Sequence, residues 1–104
     1  MNKLNNYIFL TICELSLKHF KESNYSTYSS YCAGIRTSIQ SNDFSSSEKS
    51  NIIEIADTLS LIYNLKDAEI YIYIEYYFNR DVDVFYVYQR TVMMMIEYYP
   101  MSFN

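Results

Sequence analysis

A single glycine, Gly34, and a single proline, Pro100, are all the backbone punctuation this chain has, and neither residue occurs between Ile35 and Tyr99. Tight hairpins take their positive-φ corners from glycine, and proline ends elements by lacking an amide donor. A long stretch without either favours elements whose ends are closed by side chains, as Ser, Asp and Asn close helices. At 104 residues with half of them hydrophobic, the chain suffices for one domain with a sizeable core and is too apolar for disorder. The expected architecture is all-α: a small antiparallel helical bundle of four to five helices, one domain over residues 1–104.

Hydrophobic spacing locates the elements. Over residues 5–22, Leu10, Cys13, Leu17 and Phe20 recur at steps of three and four, with Phe9 and Ile12 widening the stripe. Ser23 and Asn24 end it, since both favour turns over helix interiors. A second helix is expected at about 25–40 from Tyr28, Cys32, Ile35 and Ile39, although Gly34 inside it costs roughly 1 kcal/mol relative to alanine. The polar run 40–47 reads as a loop, and Ser45 with Glu48 fits a capping box. Behind it, Ile52, Ile55, Ala56, Leu59, Ile62 and Tyr63 form the most regular helical stripe of the chain.

The last third supports two conformations. Ile70–Ile74 alternates Ile and Tyr strictly, and Val82–Tyr88 is equally rich in strand formers, with Asn79-Arg80-Asp81 between them. Local propensity therefore offers an α+β alternative with a C-terminal β-hairpin at about 70–92. Against it stand the missing hairpin glycine, Asp67 and Asp81 as helix N-caps, and Pro100 as a stop. On that reading 68–79 and 82–99 form an αα-hairpin.

Charge and composition narrow the function. Residues 1–50 carry five basic groups against four acids, a net of +1, and residues 51–104 carry three against eight, a net of −5. An acidic, aromatic half repels nucleic acid and anionic membrane, so neither is expected as a partner. One glycine cannot build a phosphate-binding loop or a nucleophile elbow. His19, the lone histidine, with Glu22 and the distant Cys13 and Cys32, falls short of a zinc set, and no metal or cofactor is expected. The cysteines read as two small buried hydrophobes. Glu69 with Glu75, and Asp81 with Asp83, pair carboxylates, but the latter two complement a helix N-terminus rather than acid–base catalysis. No enzyme is expected. Lys3 precedes the apolar run Tyr7–Cys13, which meets Glu14 with no small-residue cleavage site after it, and Ile12 before Cys13 is too large for a lipoprotein site. The expected location is cytoplasmic.

Eight tyrosines lie between Ile70 and Tyr99, together with Met93, Met94 and Met95. Buried tyrosine must partner its hydroxyl, so many should sit at a core rim or on a contact face, where tyrosine gives large area at low entropic cost. Carboxylates among tyrosines suit a basic protein partner. The candidate partner-binding residues are Glu69, Tyr71, Glu75, Tyr77, Asp81, Asp83 and Tyr86. Homo-oligomerisation through the apolar last helix stays open.

With net −5 over residues 51–104, and Tyr71, Tyr73, Tyr76, Tyr77, Tyr86 and Tyr88 among the acids, the chain resembles the small immunity proteins of bacterial toxin systems, of the contact-dependent inhibition and bacteriocin type. That resemblance implies a non-enzymatic inhibitor that covers the active surface of a basic, nuclease-like toxin or effector. Phage-encoded inhibitors of host defence share the profile. More locally, Ile12–Lys18, Glu54–Tyr63 and Asn79–Val84 resemble helices of flagellar export chaperones, which implies instead an export or secretion chaperone holding an amphipathic helix in an apolar groove.

Overall fold

Side-chain caps, not glycine, set the element boundaries. The computed structural model describes residues 3–79 together with Gln89, Val92, Met93 and Ile96. Within them lie four helices: α1 (Lys3–Glu22), α2 (Tyr28–Ser41), α3 (Ser46–Tyr63) and α4 (Asp67–Phe78). There is no strand among the described residues, and the all-α bundle stands.

α1 ends where the Ser23 amide and hydroxyl both donate to the Phe20 carbonyl, at 3.0 and 2.7 Å. α2 begins at Tyr28 rather than near Tyr25 because Thr27 takes the N-cap, its hydroxyl accepting from the Ser30 amide. The capping box opens α3 as expected: the Ser45 amide donates to the Glu48 carboxylate at 2.9 Å, and the Glu48 amide to the Ser45 hydroxyl at 3.2 Å. α2 and α3 each close on an asparagine in the left-handed region, Asn42 (φ 55°) and Asn64 (φ 53°). Asparagine tolerates that conformation better than any residue but glycine, so it does here what glycine does elsewhere.

Residues 70–74, the first strand of the hairpin alternative, are helical. Lys66 takes the N-cap position of α4, one residue before the expected Asp67, and the Glu69 carboxylate accepts the Lys66 amide at 3.3 Å. Asp67 becomes the first helical residue, where its charge faces the positive end of the helix dipole. Propensity loses because the helix gives Ile70, Ile74, Tyr77 and Phe78 one common buried face, and no glycine is present to turn a hairpin. The second strand, 82–88, and the expected helix 82–99 lie outside the described residues but for single positions.

α1 and α4 each pack on the other three helices and together form the middle of the bundle. α1 and α3 run antiparallel: the Tyr63 hydroxyl donates to the Tyr7 carbonyl at 2.9 Å near one end, and Lys18 meets Glu54 near the other. The core joins Ile8, Phe9, Ile12 and Cys13 of α1 to Tyr28, Tyr31, Cys32 and Ile35 of α2, with Ile55 and Leu59 from α3. A β-carbon at Gly34 would meet the Tyr25 hydroxyl and ring, so a larger residue there would make the partly exposed Tyr25 side chain swing aside.

Candidate functional site

The polar groups inside the bundle are organised for stability. Ser16, on the core stripe of α1, donates its one hydroxyl hydrogen to the Cys13 carbonyl at 3.1 Å. Tyr28 Oη lies 2.7 Å from Ser16 Oγ and 2.8 Å from Tyr77 Oη. Tyr28 thus stands in the middle of a buried row of hydroxyls, bonded to Ser16 on one side and to Tyr77 on the other. Burial raises both tyrosine hydroxyls well above the phenol range and lifts the Cys32 thiol to about 11. A thiol held protonated in this way is a poor nucleophile.

His19 is buried against α3, its Nε2 3.3 Å from Glu54 Oε2. The separation suits an ion pair, but the alignment is too poor for a hydrogen bond, and neither ring nitrogen makes another. Glu54 also binds Lys18 at 3.0 Å. The Lys18 hydrogen bond, with the His19 imidazole beside it, holds the Glu54 carboxyl below its ordinary range. At Glu48 burial pushes the pKa up, but hydrogen bonds from Ser45 and Ser38 outweigh it and the net shift is downward. A lowered carboxyl stabilises the fold above its unfolded value, near 4.5, and that stability is lost as pH falls through the folded value. Glu14, raised by partial burial, acts in the opposite sense. Acid titration should therefore lower the unfolding free energy below about pH 4.5. A Glu48→Gln/Glu54→Gln double variant should show a flatter profile in urea melts run at stepped pH; a profile as steep as the wild type's would refute this assignment.

Among the described residues, no three or more His, Cys, Asp or Glu gather as a metal set, and no helix is long and apolar enough to cross a membrane. What the described surface does offer is the outer side of α4. Each helical residue steps about 100° around the axis. With Ile70, Ile74, Tyr77 and Phe78 turned inward, the opposite side carries Ala68, Ile72 and Tyr76, and Ile72 is 64% exposed. Tyr71, 56% exposed, stands beside this stripe. The Tyr76 ring stacks on Phe9 with centroids 5.8 Å apart, so one face is supported by the bundle while half the residue stays accessible. Ile72, Glu75, Tyr76 and Asn79 line a shallow open depression. α4 contains Asp67, Glu69 and Glu75 and no basic residue.

Of the residues expected at a partner surface, Glu69 and Tyr71 are exposed and Glu75 is half-buried at its edge. Tyr77 departs from the expectation. It lies three residues after Ile74 on the inward face, 6% exposed, with its hydroxyl on Tyr28, and so belongs to the core. Asp81, Asp83 and Tyr86 lie outside the described residues. Ile72 and Tyr76 were not foreseen, though the spacing held the signal: once Ile70, Ile74 and Tyr77 define one side of a helix, Ile72 and Tyr76 must take the other. Leu61 and Ile62, in the last turn of α3, are further exposed apolar residues.

Comparison with models of protein families, with characterised proteins and with solved structures finds no match to this chain.

Proposed function

We propose that this protein is a stoichiometric binding protein, an immunity or inhibitor protein that neutralises a basic, nuclease-like toxin or effector by covering its active surface. The observation that carries this reading is the outer side of α4, where Tyr71, Ile72 and Tyr76 are exposed beside Glu69 and Glu75 with no basic residue on the helix. Large apolar and aromatic groups at the surface provide burial on contact, and carboxylates steer and register a cationic partner. Residues 51–104 as a whole carry a net of −5, a balance that favours a cationic partner.

The test uses the full chain as bait in its native host, beside a Glu69→Lys/Glu75→Lys variant. A basic toxin-like protein held by the wild type, released as salt rises and weakened about tenfold or more by the variant is the expected result. An unchanged affinity and an unchanged salt slope would exclude the α4 face. The chaperone reading draws on Leu61, 86% exposed, and its neighbour Ile62. It predicts a secretion or flagellar subunit retained at high salt.

A further inference from the structure

We infer that the outer face of α4 receives a basic amphipathic helix from the partner, laid along Ala68, Ile72 and Tyr76 with Lys or Arg on both of its flanks. This rests on the binding-protein reading and specifies what that partner brings. The argument begins with the backbone. Between its ends α4 bonds each amide to the carbonyl one turn back, so its outer face has no free edge on which an extended segment could pair. A segment buried against it must arrive with its own backbone bonded, as a helix does.

The stripe sets the footprint. Ala68, Ile72 and Tyr76 repeat every four residues, and Asn79 continues the line, about 16 Å or three turns of helix. Ala68 is small enough to let a second helix approach at the start, Ile72 protrudes at the centre, and Tyr76 braced on Phe9 offers a ring face at the end. A narrow apolar line of this length matches one side of an amphipathic helix.

The flanks set the charge. Glu69 and Glu75 lie three residues before and three after Ile72, which places them about 60° to opposite sides of the stripe's centre. Acid on both margins is the complement of a helix whose apolar stripe is bordered by Lys and Arg, the logic by which flanking charges choose partners in paired helices. The same arrangement disfavours a second copy of this chain. Two α4 helices laid face to face about Ile72 would bring the Glu69 of one against the Glu75 region of the other.

Three labelled synthetic helical peptides test this against the full-length protein by fluorescence anisotropy. One has an apolar stripe with Lys flanks, one the same stripe with Glu flanks, and one the Lys composition scrambled. The Lys-flanked peptide should bind at least about tenfold tighter than either control. Ile72→Ser should cost about tenfold, and Glu69→Lys/Glu75→Lys should weaken the Lys-flanked peptide and favour the Glu-flanked one. Ile72 lies at the surface, so Ile72→Ser should melt with the wild type; Glu69→Lys also removes the acceptor of the Lys66 amide, so the double variant should melt somewhat lower while keeping the helical circular dichroism of the wild type. Equal binding of the scrambled peptide, no binding of the Lys-flanked one, or indifference to Ile72→Ser would overturn the inference. So would a wild-type dimer in sedimentation that Ile72→Ser dissociates, because the face would then belong to a second copy. The peptides need no toxin, so this inference and the immunity reading fail separately: the one on the peptides, the other on the partner recovered from the host.

Discussion

Phe78→Ala should lower the unfolding free energy by about 3–5 kcal/mol, the cost of truncating a fully buried phenylalanine and leaving a cavity. Phe78 is 0% exposed at the last turn of α4. Its ring meets Tyr77 edge-on at 5.2 Å and Tyr31 of α2 at 6.5 Å, so it is where α4 is keyed to α2. Aromatic pairs in this geometry contribute beyond their buried area. A domain of this size is stable by only about 5–15 kcal/mol, so the substitution removes a large share. Urea unfolding followed by circular dichroism should show a lower midpoint with little change in slope. A loss under about 1 kcal/mol would mean that α4 is not held where described.

The second large effect separates two tyrosines that look equivalent in sequence. Tyr28→Phe should cost about 1–3 kcal/mol, and Tyr77→Phe about 1 kcal/mol or less. The difference follows from position: Tyr28 lies between Ser16 and Tyr77 and bonds both, whereas Tyr77 ends the row. Removing the Tyr28 hydroxyl breaks two buried hydrogen bonds and leaves the Tyr77 hydroxyl in the core without its oxygen partner. The Cys13 sulfur, also beside Tyr77, bonds weakly and recovers little. Removing the Tyr77 hydroxyl breaks one of the two and leaves the Tyr28–Ser16 bond in place. Paired thermal melts read the order directly, at about 4–8 °C per kcal/mol for small domains. Equal losses, or a larger loss for Tyr77→Phe, would overturn this ranking.

The legibility of this chain varies with how one-sided each helix is. α3 is readable because Ser45 and Glu48 announce its start and Ile52, Ile55, Ala56 and Leu59 recur along one side. α2 was displaced by three residues because Tyr25 and Tyr28 both look like stripe members, and only the Thr27 cap decides between them. α4 resisted because it is apolar nearly all the way round. In a strand, Ile70, Ile72 and Ile74 would share one face and the tyrosines the other. In the helix, Ile72 parts from Ile70 and Ile74 and goes to solvent, while Tyr77 crosses into the core. The same ambiguity keeps a hairpin alternative open beside the all-α reading and puts Tyr77, which is buried, among the surface candidates. Glu69 and Tyr71 lie at the surface and Glu75 at its margin because charge and phenolic hydroxyls seek water in either conformation.

The left-handed asparagine at the end of α3 bears on how fast a partner could dock. Asn64, Leu65 and Lys66 are all that join α3 to α4, and none is a glycine. A glycine hinge there would let α4 swivel; an asparagine restricts the chain both before and after folding. The Tyr73 hydroxyl fixes α4 a second time, on Asn5 of α1 at 2.7 Å, and the Tyr77–Tyr28 bond a third time. The outward stripe is thus presented in its final form, and association has little ordering left to do on this side. Encounter should then be governed by long-range attraction and orientation rather than by rearrangement.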